Sequence, residues 1–156
     1  MAVVDLLELP ALLPQYAPLV GLDLGEKTIG VAVSDIGRMI ATPDHLIRKT
    51  KFSNDAEALL AFLQARDAGG LVIGLPVNMD GTEGSRCQSS RAFARNLLRL
   101  RPDLPIAFWD ERLSSAAVNR MLIDEADVTR ARRAELVDKA AAAWILQGAL
   151  DRLRAG

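Results

Sequence analysis

Short apolar runs punctuated by glycine open the chain. Leu19–Leu24 is one such run, ending at Gly25, and residues 29–34 form a second that ends at the turn-like Asp35-Ile36-Gly37. Runs of this length between turn residues predict β-strands. A third strand is predicted over 39–48, bent near Pro43. The spacing then changes from two to about four. Ala58, Leu59, Phe62 and Leu63 predict a helix over 55–66, capped by Ser53 or Asn54 and stopped by Gly69-Gly70. Leu71-Val72-Ile73 reads as a buried strand, 74–84 as a Gly-Pro-Asn-Asp loop, and Ser85–Leu100 as a second helix ending before Pro102. A strand over 106–109 and helices over 114–125 and 133–153 complete the pattern.

The order β-β-β-α-β-α-β-α-α implies early antiparallel hairpins followed by right-handed βαβ crossovers. That is a mixed five-stranded α/β sheet, first antiparallel and then parallel, with helices on its faces. Residues 1–18 stand apart as an N-terminal arm, leucine-rich and broken by Pro10, Pro14 and Pro18. With Asp5 and Glu8 and no basic start, the arm does not read as a secretory signal. Residues 19–156 read as one domain, a length sufficient for a proper core.

Strand alternation puts Val20, Leu22 and Leu24 on one face and Gly21, Asp23 and Gly25 on the other. If the second strand shares its small residues Gly30, Ala32 and Ser34 with the Asp23 face, that carboxylate stands on a nearly bare floor, open to a hydrated ion or a substrate backbone. An acid closing a strand before a glycine turn is the plainer reading. A second acidic position lies in Trp109-Asp110-Glu111-Arg112. Asp110 and Glu111 cannot both face one site unless the strand has ended, so alternation leaves open which of them is functional. Arg112 suits a carboxylate or a phosphate partner. In the last helix Leu136, Val137, Ala140, Ala141, Trp144 and Ile145 form an apolar stripe with Asp138 at its edge. Asp138 is either a solvated boundary acid or a carboxylate reaching back to the sheet, and the run Ala140-Ala141-Ala142-Ala143 lets that helix lie close.

Three clustered acids change the chemistry. Two carboxylates about 4 Å apart repel by about 4 kcal/mol at an effective dielectric near 20, so a cluster favours a divalent cation. Oxygen donors suit Mg²⁺ or Mn²⁺, and paired ions support in-line displacement at phosphorus. Composition narrows the field further. His45 and Cys87 each stand alone, which excludes structural zinc and a disulfide framework and suits a reducing, cytoplasmic setting. No apolar run approaches a membrane span of roughly 20 residues, so no membrane role is expected. The net charge of −1 argues against a generic nucleic-acid coat, although a local basic patch suffices for phosphate contact.

In the family's order, Gly21-Leu-Asp-Leu-Gly25, Ile29-Gly-Val-Ala-Val-Ser-Asp35, Gly74-Leu-Pro76 with Asn78, Asp80, Gly81 and Gly84, Asp110-Glu111-Arg112, and Asp138-Lys139-Ala140-Ala141 before Ile145-Leu-Gln147 resemble the YqgF/RuvX family of pre-16S rRNA nucleases related to Holliday junction resolvases. The resemblance spans about residues 19–153. It implies an RNase H-like fold and a metal-dependent nuclease trimming the 5′ end of pre-16S rRNA, with Asp23, Glu111 and Asp138 as catalytic metal ligands. Ser114-Ser115 stands where the family often has threonines, and arginines replace common lysines near 129–133.

Candidate phosphate contacts are Lys27 and Asn78, then Arg91 and Arg95, which with Arg99 line one helix face, then Arg112, and finally Arg130, Arg132 and Arg133 as a basic clamp before the last helix. A solvated helix face is the plainer reading of the Arg91 stripe. The glycine-rich loop lacks a Gly-Lys-Ser/Thr ending and is not a Walker P-loop. Few aromatics are present, so recognition would rest on backbone and shape. Pre-rRNA is the favoured partner and branched DNA the alternative, cut by a resolvase acting as a two-fold dimer. The chain is accordingly a monomer or a homodimer. A non-catalytic nucleic-acid-binding module and a single domain of the sugar-kinase/actin type are weaker readings, the latter because it needs two such domains.

Overall fold

The computed structural model describes residues 3–113 and 130–156, and the side chains of residues 130–136 and of Asp138 lie outside what it describes. A five-stranded sheet in the order β3-β2-β1-β4-β5 carries the molecule. It consists of β1 (Leu19–Leu24), β2 (Thr28–Ser34), β3 (Ala41–Arg48), β4 (Gly70–Leu75) and β5 (Ile106–Asp110). β1, β2 and β3 pair antiparallel, whereas β4 runs parallel to both β1 and β5. This is the mixed sheet that the element order predicts. The helix expected over 114–125 falls outside the described residues.

On one face, Val20, Leu22, Ile29, Val31, Leu71, Ile73 and Ile106 pack against α1 (Phe52–Ala65) and α2 (Ser85–Leu100). On the other, Ala32, Val72, Ala107 and Trp109 meet α3 (Arg130–Ala155) through Ala142, Ala143, Ile145, Leu146 and Ala149. The register Leu22↔Val31 beside Gly21↔Ala32 assigns branched side chains to the first face and small residues to the second.

Boundaries differ from expectation for identifiable reasons. α1 starts at Phe52, ahead of the expected caps Ser53 and Asn54, because the Phe52 ring packs edge-on against Phe93 at 5.5 Å. Its start is tied by buried Asp55, whose carboxylate accepts the Thr50 N–H at 3.1 Å and the Thr50 hydroxyl at 3.2 Å. β3 starts two residues later than expected, because Asp35 Oδ1 takes the N–H groups of Met39 and Ile40 at 2.8 and 3.0 Å. Its register shifts where Val31↔His45 gives way to Ala32↔Pro43, a bulge suited to an edge strand carrying proline.

The arm forms a 3₁₀ turn, Leu6–Leu12, whose Leu9 is fully buried with the α3-side core. The Val4 N–H donates to Ile106 O at 2.9 Å, and Arg38 clasps Ala17 O at 2.7 Å. No helix among the described residues is long and apolar enough to cross a membrane.

Candidate active site at the ends of β1, β4 and β5

Asp23 stands near the C-terminal end of β1, opposite Gly30 of β2, and is 5% exposed. Gly21, on the same face, lies directly under α3. A Cβ there would come within 2.6 Å of Leu146 Cβ and 3.1 Å of Ala142 O. The small residues therefore do not leave an open floor along the whole strand, as the sequence pattern suggests. Under α3 they allow close helix–sheet approach, and only the outer end, at Asp23, meets the edge of the sheet.

Leu22 pairs with Ile73, which brings Gly74 beside Asp23 on the neighbouring strand. Gly74 faces Ile145 of α3, and Glu111 Oε2 lies 3.1 Å from where a Gly74 Cβ would sit. Asp23 and Glu111 thus rise on one face from adjacent parts of the same sheet edge. Glycine at 74 makes room for the Glu111 carboxylate.

Local structure separates Asp110 from Glu111. In β5, Ala107 and Trp109 belong to the α3 side and Ile106 and Phe108 to the opposite side. Asp110, the last strand residue, follows Phe108. The chain then enters a 3₁₀ turn, Glu111–Leu113, and Glu111 stays on the Trp109 side, against Gly74. Asp110 instead accepts the Arg112 Nη2 at 2.7 Å and the Arg112 backbone N–H at 2.9 Å. The guanidinium beside it holds the Asp110 carboxyl below its ordinary value.

Asp138 has its backbone in α3, one turn before Ala142, whose carbonyl lies over Gly21. Its side chain lies outside what the structure describes, as do those of Arg130, Arg132 and Arg133. Among the described residues no three His, Cys, Asp or Glu side chains gather into a metal-binding group. Of the expected triad, Asp23 and Glu111 are described, on the same face of the sheet, and Asp138 is described in its backbone alone.

The other expected contacts are dispersed. Asn78 closes the loop after β4. Its N–H donates to Thr82 O at 2.9 Å and its side-chain amide to Thr82 Oγ1 at 3.0 Å. Asp80 takes the Thr82 hydroxyl and N–H, and those bonds hold its carboxyl low. Gly81 supplies the left-handed φ of 90° that the loop requires. Arg112 reaches this loop at Met79 O, 3.4 Å away, and so links β5 to it. Arg91 forms a two-pronged ion pair with Glu83 at 2.7 Å and lies over the Phe108 ring, whereas Arg95 and Lys27 are exposed.

Residues 17–152 match the family model described as RuvX, Holliday junction resolvase. This chain belongs to the RuvX family. It is 76% identical to a protein of Phenylobacterium zucineum named "Putative pre-16S rRNA nuclease", over 99% of both chains. A protein of the same name from Caulobacter vibrioides is 67% identical, again over 99% of each. Among solved structures, Thermus thermophilus RuvC in complex with a Holliday junction substrate superposes with a TM-score of 0.56 at 11% identity, covering 90% of this chain and 96% of that one. A second Thermus thermophilus RuvC structure gives 0.51 at 13% identity, over 88% and 96%. At such identities the likeness concerns the fold, which is RNase H-like.

Within this family member, sequence reasoning missed two cations at the end of β1. Lys49 Nζ donates to Gly25 O at 2.8 Å, and Arg86 Nη2 lies 3.5 Å from Leu24 O. Lys49 arrives from the residue after β3, and Arg86 from the first turn of α2. Neither belongs to a motif; the pairing of β2 with both β1 and β3 brings Lys49 beside Gly25, and the packing of α2 on the sheet brings Arg86.

Proposed function

We propose that this RuvX-family chain is a divalent-metal-dependent endonuclease that hydrolyses phosphodiester bonds in the 5′ region of pre-16S rRNA. The observation that carries the reading is the pair of carboxylates on one face of the sheet edge, Asp23 on β1 and Glu111 over Gly74 of β4. The full-length relatives named for pre-16S rRNA support the substrate, and that substrate places the reaction in the cytoplasm.

The donor set fits a hard cation. Asp23 is a buried carboxylate with a glycine opposite it, and Glu111 lies against Gly74 beside the Ile145 side chain, so the donors offered are carboxylate oxygens. Asp23, Glu111 and Asp138 would hold Mg²⁺ or Mn²⁺, which supplies an activated water and stabilises the leaving oxygen. The protein's own part is positioning. β1 and the 3₁₀ turn after β5 fix the carboxylates, and Arg112, braced by Asp110, keeps the β4–α2 loop beside them. Lys27, Arg95 and the basic residues 130, 132 and 133 are the remaining candidates for phosphate contacts with a long substrate strand.

Cleavage of a 5′-labelled pre-16S leader, single-stranded DNA and a four-way junction tests the proposal, each with Mg²⁺, Mn²⁺ or EDTA. Metal-dependent cutting of the RNA is expected, and Asp23→Asn should lower it at least about 100-fold, beyond the usual loss from disturbing a ligand's support. Unchanged turnover in Asp23→Asn removes the ligand assignment. The RuvC-like fold favours a second reading, a junction resolvase acting as a two-fold dimer, which predicts paired cuts in the junction arm and a dimer in solution. Tight RNA binding with no cutting of any substrate would leave a binding module.

A further inference from the structure

Beyond the acidic edge lies a small notch whose lining includes Leu24 and Gly25 of the β1 end, Lys49, and Arg86, Ser89 and Phe93 of α2. Gly25 is two residues past Asp23, roughly 7 Å along the strand direction. The notch therefore begins where the acidic site ends, on the α2 side of the sheet rather than the α3 side.

Several features make it an anion seat. Lys49 and Arg86 come from separate elements and converge on consecutive carbonyls, Gly25 O and Leu24 O, at 2.8 and 3.5 Å. Both side chains are exposed, and neither forms an ion pair with a described carboxylate. Each has further donors than the one spent on a carbonyl. Ser89 and Ser90 turn their hydroxyls back to the carbonyls of Ser85 and Arg86, at 3.1 Å, and leave the cations to define the seat. Phe93 gives it an apolar wall. Glu26, also in the lining, is exposed and leaves the notch net positive. α2 adds no acid in its first turn.

We propose that the Lys49–Arg86 notch is a subsite for a backbone phosphate of the nucleic-acid strand, one or two nucleotides from the bond held at Asp23. The strand crosses the C-terminal edge of the sheet from the α3 side to the α2 side. The subsite lies outside the acidic centre and rests on the nuclease reading above, so its test is made without turnover.

Binding of a fluorescein-labelled single-stranded RNA, and of the matched DNA, is measured by anisotropy in EDTA over a series of KCl concentrations. The full-length proteins are wild type, Lys49→Gln, Arg86→Gln, both together, the charge-keeping pair Lys49→Arg with Arg86→Lys, and Arg152→Gln as a distant control on exposed α3 surface. For single strands each lost phosphate contact lowers the slope of log K against log salt by about 0.7. The double neutralisation should therefore flatten the slope by about 0.7 with both strands, the loss of one phosphate contact, while the charge-keeping pair and Arg152→Gln retain the wild-type slope. A wild-type slope in the double variant overturns the subsite, as does equal loss in the charge-keeping pair or the distant control, or the absence of salt-dependent binding by wild type. Metal-dependent cleavage lost in Asp23→Asn, alongside any of these, leaves the nuclease standing without the subsite.

Discussion

The two faces of the central sheet solve different problems with the same strands. Toward α1 and α2, β1 presents Val20 and Leu22 beside Val31, Ile29 and Ile73, all buried, a thick layer of branched side chains. Toward α3 it presents Gly21 and Asp23, flanked by Ala32, Gly30 and Gly74. The first face gains stability from apolar area removed from water. The second gives up that area so that α3 packs almost on the backbone and carboxylates occupy the edge. Leu146 near Gly21 and the Trp109 ring near Gly148, where a Cβ would sit 2.9 Å from Trp109 Cζ2, show how close the approach is. A sheet can thus carry carboxylates at its edge without a deep pocket, by setting small residues on one face and branched ones on the other.

Substitutions on opposite faces should break this comparison in opposite ways. Leu22→Ala, on the filled face, should cost the most stability, about 2–5 kcal/mol for a fully buried leucine, with the surviving folded protein keeping its cleavage rate. Urea unfolding paired with the cleavage assay reads both. Gly21→Ala should cost less, about 1–3 kcal/mol of overpacking, because the new Cβ meets the Leu146 Cβ and the Ala142 carbonyl, neither a flexible tip. By displacing α3 it should also slow cleavage, and unchanged cleavage would separate α3 from the site. Gly74→Ala meets the movable end of Ile145 and the Glu111 carboxylate. A smaller stability loss than Gly21→Ala with a larger fall in turnover is expected, visible in single-turnover rates.

The smallest effect concerns pH. Asp35, Asp80, Glu83 and Asp110 are all held low, by backbone amides at Asp35, the Thr82 hydroxyl at Asp80, Arg91 at Glu83 and Arg112 at Asp110. With folded values below unfolded ones, their contribution is complete above the ordinary carboxylate range near pH 4 and is lost as pH falls below it. Thermal melts between pH 7 and 3 should show that decline, and Arg112→Gln should shallow it by removing the Asp110 share. These groups are largely exposed, so the decline should be modest. A melting temperature flat to pH 3 would contradict it.

How legible all this is in the sequence varies residue by residue. Short runs with turn residues between them locate every described strand, and period-two alternation puts Asp23 with Gly21. Alternation could not choose between Asp110 and Glu111, because the choice depends on which face of β5 packs on α3, and the Trp109 side does. The start of α1 escaped because Phe52 finds Phe93, a partner 41 positions away. Arg91 looked available on its helix until Glu83, bonded to it at 2.7 Å, and Phe108 became its neighbours. The 1–18 arm carried no periodicity to announce that Leu9 is fully buried.

What the sequence by itself determined is the set of elements, the mixed sheet and the family, since these follow from local periodicity and from motifs in order. That Glu111 lies against Gly74, why glycine occupies 21 and 74, and how Lys49 and Arg86 meet beside Gly25 were decided only by the tertiary structure. The reason is physical. A strand or helix is specified by neighbours a few residues apart, whereas a site is made where β-sheet pairing and helix packing bring distant residues within ångströms of one another.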